Sequence, residues 1–122
     1  PAALPLWWGP EGFSCRTERI DLSEGGDWVF DMIGPDGTVW PNHHRRTRQV
    51  PLMRLDSTFY AGEGGPRHAE AWVRLDPVEG GTRVRLGMVF ATPEACAGAR
   101  AFGAEALGMQ TLGKLARHLG VP

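Results

Sequence analysis

The sequence has few cysteines, a single lysine and no long apolar segment. Cys15 and Cys96 are the only two cysteines of the 122-residue chain, which is too few for the disulfide framework of a small secreted domain. The longest apolar runs fall well below the roughly 18 residues that a membrane-spanning helix needs. The first residues, from Pro1, show neither a basic start nor the apolar core of an export signal. These absences predict a protein without a membrane span, with two buried thiols, in the reducing cytoplasm.

The charges are balanced, and nearly all of the positive ones are arginine. The chain has 13 Lys and Arg against 14 Asp and Glu, a formal net charge of -1, and 12 of those 13 basic residues are Arg. Such a balance gives no global attraction to nucleic acid or to an anionic membrane. With 42% hydrophobic residues, the chain is long enough to build one core. We therefore predict a single domain over residues 1–122 that binds no nucleic acid.

Turn-forming glycines and prolines divide most of the chain at even intervals. Between two such turns, Val84, Leu86 and Met88 fall on one face of an extended segment while Arg83 and Arg85 fall on the other. This period of two is typical of a half-buried antiparallel strand. The whole pattern predicts a six-strand meander, joined mostly by hairpins, with strands over residues 13–22, 27–33, 38–50, 53–61, 67–76 and 82–91.

The carboxyl-terminal segment has the pattern of one long helix over residues 93–119. Thr92 can cap it, Pro93 suits its first turn and Gly120 can end it. One stripe of the helix is mostly apolar: Phe102, Glu105, Met109, Leu112, Ala116 and Leu119. The opposite side is polar: Arg100, Gln110, Lys114, Arg117 and His118. The stripe needs an apolar partner, and the sheet is the one large surface available, so the fold class is α+β.

Five segments resemble those of a known family: Leu6-Trp7-Trp8-Gly9-Pro10-Glu11-Gly12-Phe13, Ile20-Asp21-Leu22 with Gly25-Gly26, Gly34-Pro35-Asp36-Gly37, Phe102-Gly103-Ala104-Glu105 and Gln110-Thr111-Leu112. They are similar to the bacterial relatives of the activator of the 90-kilodalton heat-shock protein's ATPase, within the START-like or SRPBCC superfamily. The resemblance implies a helix-grip fold, in which a curved antiparallel sheet wraps a long carboxyl-terminal helix. It also implies a cavity between the two.

The chain departs from the family pattern in three places. The family's first strand and long helix should precede the Trp-Trp-Gly-Pro segment, so we expect either upstream residues or a homodimer partner to cover the exposed sheet edge. Polar residues 43–49 replace an apolar and aromatic stretch before Val50-Pro51. Leu107-Gly108 stands where relatives have Gly-Trp, which predicts a roomier pocket if position 108 faces the sheet.

A single helix laid over a curved sheet fills it poorly, which favours a concave apolar site. The predicted ligand cavity comprises the following residues: Trp8, Trp28, Phe30, Met32, Trp40, His44, Arg46, Met88, Phe90, Phe102, Glu105 and Met109. A plain core is the alternative for its aromatic and methionine members. For Glu105 two interpretations stay open, a solvated position at the cavity mouth or a buried pairing with His44, Arg46 or Arg48.

Residues 37–55 contain no carboxylate and carry four arginines. On a regular strand His44, Arg46 and Arg48 share one face, and Arg45, Thr47 and Gln49 share the other. Whichever face points inward supplies the cavity with polar or cationic groups, although a solvated sheet edge is the simpler interpretation. An anionic head group would be a natural partner for an inward arginine.

We predict no metal and no cofactor, and we assign no catalytic residue. His43 and His44 point to opposite faces of a strand and so cannot chelate one ion, and the sequence has no nucleophile elbow, phosphate-binding loop or dinucleotide fingerprint. The leading hypothesis is therefore a non-enzymatic domain that binds a small hydrophobic or amphipathic ligand. One alternative is a co-chaperone-type protein that acts on a chaperone ATPase. Another is a cyclase-like or hydrolase-like enzyme.

Overall fold

A computed structural model of the chain describes residues 3–90 and 92–120. Six strands lie between a short first helix and two later ones: α1 (Leu4–Trp7), β1 (Ser14–Ile20), β2 (Asp27–Ile33), β3 (Val39–Val50), β4 (Arg54–Tyr60), β5 (Arg67–Val78), β6 (Gly81–Phe90), α2 (Pro93–Phe102) and α3 (Ala104–His118). Position 91, which the last predicted strand includes, lies outside the described residues.

The strands form one antiparallel sheet in the order β1-β2-β3-β4-β5-β6, which confirms the predicted meander. The β2–β3 hairpin shows why its residues turn the chain. The amide of Gly37 donates to the carbonyl oxygen of Gly34 at 3.0 Å, and Gly37 has a φ of 83°, a conformation that costs glycine little. Asp36 also accepts a hydrogen bond from the amide of Thr38 at 2.9 Å. Each strand therefore pairs with its neighbours in sequence.

Irregularities in the strand pairing bend the sheet. The register shifts between Thr17 and Arg19 in β1, between Arg46 and Arg48 in β3, and between Phe59 and Tyr60 where β4 meets β5. An extra residue on one strand bends that strand and increases its twist. The sheet thus acquires a concave face, and α3 lies over it, as the helix-grip prediction requires.

The shift in β3 corrects the prediction for its arginines. Arg46 pairs with Ser57, whereas Arg48 pairs with Asp56, so these two arginines point to opposite faces. His44 and Arg46 lie on the concave face, and Arg48 lies on the outer one. The prediction that all three share a face was wrong, because Thr47 is the extra residue that reverses the alternation.

The carboxyl-terminal segment forms two helices and not one. Gly103 separates them in the left-handed conformation, with a φ of 89°, and its amide donates to the carbonyl oxygens of Ala99 and Arg100. The predicted start is confirmed, since the Thr92 hydroxyl oxygen accepts from the amide of Ala95 at 3.1 Å. The chain therefore changes direction after Phe102.

The buried face of α3 differs from the apolar stripe that the sequence predicted. Thr111 is the buried residue of α3, and Leu112 and Leu115 lie beside it over the sheet. By contrast, Phe102 is 74% exposed and Met109 is 67% exposed. The break at Gly103 accounts for Phe102 alone. Within α3 the buried face centres on Thr111, so the predicted stripe was wrong by part of a turn.

The supposed solvent side of α3 holds the segment between α1 and β1. The Lys114 ammonium donates to the carbonyl oxygens of Pro10 and Phe13 at 3.3 and 3.1 Å. Gln110 accepts from the amide of Glu11 at 3.1 Å, and the side chain of Glu11 forms an ion pair with Arg117. These polar contacts fix α3 over the concave face.

Candidate functional site

A cavity of about 210 Å³ lies between the concave face of the sheet, α1 and α3. Its position follows from the fold, since a helix that crosses a curved sheet touches it over part of its length. The cavity is bordered by residues from most elements of the chain: Leu4, Trp7, Trp8, Asp21, Leu22, Gly26, Trp28, His44, Arg46, Leu55, Ser57, Phe59, Ala71, Val73, Leu75, Val84, Leu86, Thr111, Leu112 and Leu115.

Aromatic side chains form one wall of the cavity. Trp8 meets Trp28 edge to face with ring centroids 6.3 Å apart, and it meets Phe59 in the same way at 6.1 Å. Trp7 packs on Trp8 at 5.8 Å. Such edge-to-face pairs are favourable and orient each ring. The wall is therefore fixed by its own packing.

Small residues on the floor of the cavity create its space. Arg46, Ser57 and Ala71 occupy neighbouring positions across β3, β4 and β5, and Thr111 lies above them on α3. Two of the three floor positions carry short side chains, while the rows on either side carry Phe59 and Leu55. The empty volume lies where the sheet presents the least bulk.

His44 is the buried titratable group of this site. It is 9% exposed, and its ring stacks on Phe59 with centroids 3.5 Å apart and meets Trp28 edge to face at 5.4 Å. Burial holds the pKa of this imidazole well below its usual 6.5, and the neighbouring charges of His43 and Arg46 lower it further. His44 is therefore neutral at pH 7, with one nitrogen donor and one acceptor.

The lowered pKa of His44 predicts how stability depends on pH. Below 6.5, the usual value, the unfolded chain binds a proton that the folded chain does not, so unfolding becomes easier as the pH falls. From pH 7 to pH 5 we therefore expect His44 to lower the free energy of unfolding by an amount that grows as the pH falls. Urea unfolding at both values would measure this loss.

His44→Phe is the variant that isolates the effect. It keeps an aromatic ring against Phe59 but removes the titrating group. Its loss of stability from pH 7 to pH 5 should be smaller than that of the wild type by the same amount. Equal losses in the two proteins would show that His44 is not the group responsible.

Four of the predicted site residues are brought together here: Trp8, Trp28, His44 and Arg46. Four others border a separate, more open groove between β6 and the two carboxyl-terminal helices: Met88, Phe90, Glu105 and Met109. Glu105 is exposed, which agrees with the solvated interpretation, although it lies at this second groove and not at the mouth of the cavity. Gly108 borders the second groove as well, so the room it leaves does not enlarge the cavity.

The remaining four predicted residues line neither space. Phe30 is buried beneath the aromatic wall, stacked on Trp28 at 3.7 Å. Met32 pairs with Trp40 near the β2–β3 hairpin, and Trp40 is 52% exposed. Phe102 ends α2 and points away from the cavity because the chain turns at Gly103. These residues belong to the core or to the surface.

Sequence reasoning missed the floor and part of the walls. Leu55, Ser57 and Phe59 alternate along β4, and Ala71 and Val73 alternate along β5, so the period of two could have placed all five on the concave face. Ser57 and Ala71 escaped notice because small residues give no hydrophobic signal.

Neither cysteine belongs to this site. Cys15 and Cys96 are both free thiols. Burial raises the pKa of Cys15 to about 11, and its sulfur lies 3.6 Å from the carbonyl oxygen of Trp8, so it is an unreactive packing group. Within residues 3–90 and 92–120, no three His, Cys, Asp or Glu side chains are grouped as metal ligands would be. No helix in that part of the chain is long and apolar enough to cross a membrane.

A curved antiparallel sheet, a carboxyl-terminal helix over its concave face and an apolar cavity between them define a helix-grip domain. Comparison with protein families gives the same answer. The model of the family described as activator of Hsp90 ATPase homolog 1-like protein matches residues 1–120. The chain belongs to this family. A comparison with curated proteins found no match.

Solved structures from bacteria share the fold. A crystal structure from Nitrosomonas europaea is 25% identical and superposes with a TM-score of 0.82 over 98% of this chain and 80% of its own. A solution structure from Arthrobacter aurescens is 26% identical, with a TM-score of 0.82 over 100% of this chain and 74% of its own. A third, from Mycobacterium smegmatis, is 21% identical, with a TM-score of 0.83 over 98% and 77%. The likeness to these proteins supports the helix-grip assignment.

Proposed function

We propose that the protein binds one small, mostly apolar molecule in the cavity between the sheet and α3, in the cytoplasm. The cavity carries this proposal, because its walls are aromatic and aliphatic and only a few polar groups converge on it, as in small-molecule sites generally. The two free thiols support a reducing compartment.

The volume limits the size of the ligand. At about 210 Å³ the cavity is smaller than the roughly 300 to 1,000 Å³ of drug-sized sites. It is somewhat larger than an engineered apolar cavity of about 150 Å³ that holds benzene. The ligand class is therefore a single substituted ring or a short alkyl chain.

Ethylbenzene is a suitable neutral probe of this proposal. Because Trp7, Trp8 and Trp28 border the cavity, its binding should change the tryptophan fluorescence and raise the melting temperature. Ala71→Leu places a larger side chain on the floor and should weaken binding by about tenfold or more, since the probe and the leucine compete for one volume. Thr111→Leu, on the α3 side of the cavity, should weaken binding by a similar factor.

Ala106→Leu is the matched control, because Ala106 is exposed on α3 and lies outside the cavity. It should bind ethylbenzene as the wild type does. Failure of the wild type to bind, or equal binding by Ala71→Leu and Ala106→Leu, would contradict the proposal.

Contact with a chaperone ATPase is a second candidate, and one observation favours it. Met109 is exposed at the open groove between β6 and the carboxyl-terminal helices, and Phe102 is exposed at the end of α2. Clustered apolar side chains on a surface mark protein contacts. If this function holds, the wild type should raise the ATPase rate of a bacterial chaperone of this class, and Phe102→Glu should abolish the effect. Ala71→Leu should leave it intact.

A further inference from the structure

Arg46 is a cation on the cavity floor without a carboxylate partner. Its neighbours on the outer face are paired: Arg45 lies 2.9 Å from Asp27, and Arg54 lies 2.6 Å from Asp56. No Asp or Glu among the described residues pairs with Arg46. Its Nη1 donates to the side-chain oxygen of Gln49 at 2.9 Å, and its buried Nε meets no acceptor within residues 3–90 and 92–120.

This arrangement is costly for a folded protein. Burial lowers the pKa of Arg46, which shows that the cavity disfavours the charged form, yet an arginine remains charged in proteins. A charge against apolar walls is expensive unless an opposite charge or enough hydrogen bonds compensate it. Asp21 also borders the cavity, but its Oδ1 accepts from the amide and hydroxyl of Ser23 at 3.0 and 2.6 Å.

Other polar groups surround the guanidinium on the same face. Ser57 is the cross-strand partner of Arg46, and its hydroxyl is available as a second donor. His44 lies two residues before Arg46 on β3 and, being neutral, adds one further donor. The Lys114 ammonium, by contrast, is engaged with backbone carbonyl oxygens. Arg46 therefore presents a full positive charge to the cavity beside neutral donors, and the Asp21 carboxylate, which also borders the cavity, forms no ion pair with it.

We propose that the cavity binds a small monocarboxylate, whose carboxylate is bound by Arg46 and Ser57 and whose ring or short alkyl chain lies against the aromatic and aliphatic walls. The inference rests on the proposed function and adds the charge of the ligand to it. A guanidinium presents two parallel donors that match a carboxylate. A single cation balances one negative charge, which favours a carboxylate over a doubly charged phosphate.

Phenylacetate and phenylacetamide provide the test, because they have nearly the same shape and differ in charge. At pH 7.5 the wild type should bind phenylacetate roughly tenfold or more tightly than the amide, the ratio expected when a hydrogen bond involves a charged group. Titration followed by tryptophan fluorescence and by the shift in melting temperature would measure both affinities. Ethylbenzene serves as the uncharged reference.

Arg46→Gln should reduce the affinity for phenylacetate to that for the amide. Arg46→Lys should keep part of the preference, and Arg46→Met provides a second neutral variant if the glutamine form is unstable. Arg48→Gln is the matched control, because Arg48 lies on the same strand but points to the outer face. It should keep the full preference for the acid.

The outcomes separate the two proposals. Equal affinities of the wild type for acid and amide, together with binding of ethylbenzene, would overturn the monocarboxylate and leave the apolar site standing. A preference for the acid that survives in Arg46→Gln and Arg46→Met would also overturn it. Binding of none of the three compounds would overturn both proposals.

Discussion

Trp28→Ala should lower the free energy of unfolding by about 3 to 5 kcal/mol, the range seen when a large aromatic side chain is removed from a core. Trp28 is 2% exposed and stacks on Phe30 at 3.7 Å. Its indole nitrogen also donates to the hydroxyl of Thr17 at 3.1 Å. The substitution therefore removes the centre of the aromatic wall and leaves that hydroxyl without its donor. Urea unfolding would measure the loss.

Trp40→Ala is the control for this prediction. Trp40 also lies in the β2–β3 pair, but it is 52% exposed. In proportion to the area buried, we expect its removal to lower the free energy of unfolding by about half as much, about 1.5 to 2.5 kcal/mol. Similar losses for the two variants would mean that the core does not centre on Trp28.

Gly87→Val should also be severe and should lower the free energy of unfolding by about 3 kcal/mol. On the outer face the indole of Trp72 lies directly over Gly87, its cross-strand partner, and a Cβ added to Gly87 would lie 2.1 Å from carbons of that ring. The guanidinium of Arg74 lies over the same ring at 5.0 Å. An aromatic side chain that covers a glycine on a neighbouring strand shields backbone that would otherwise be exposed.

A double-mutant cycle would isolate this contact. In a Trp72→Ala background the ring is absent, so Gly87→Val should become neutral or slightly stabilising, because valine favours a strand. Chemical unfolding of the four proteins gives the coupling energy. Additive effects of the two substitutions would contradict the proposed clash.

The sheet could be predicted from the sequence because its signals are local. Alternation along each strand and glycines at the turns placed all six strands to within a few residues of their observed ends. The joint at Gly103 and the extra residue Thr47 could not be predicted in this way. Each depends on the backbone conformation of one residue. Glycine and threonine also occur within regular helices and strands, so their presence does not indicate the irregularity.

The candidate site was predicted only in part, and the reason is physical. Large side chains such as Trp8 and Trp28 can be predicted as site residues from their residue type. His44 and Arg46 can be predicted from their position on a strand that also carries polar residues. The cavity itself exists because the short side chains of Ser57 and Ala71 leave volume above the sheet unfilled. Which face of α3 covers them depends on the direction of the chain after Gly103. The sequence pattern does not specify that direction.

The strictly sequential order of the sheet has a consequence for folding. Each strand pairing joins neighbours in the chain, so the sheet can form by successive hairpins, each with a small loop-closure entropy. The contacts of Lys114 and Gln110 with the segment near Pro10 join distant parts of the chain. Because closing such a long loop costs more entropy, we expect these contacts to form after the hairpins. Docking of α3 would then complete the cavity after the sheet exists, and its transient release would open it again. Amide hydrogens of α3 should therefore exchange faster than those of β3 and β4. A ligand that slows the exchange of the α3 amides would be stabilising the docking of α3 on the sheet and on the segment near Pro10.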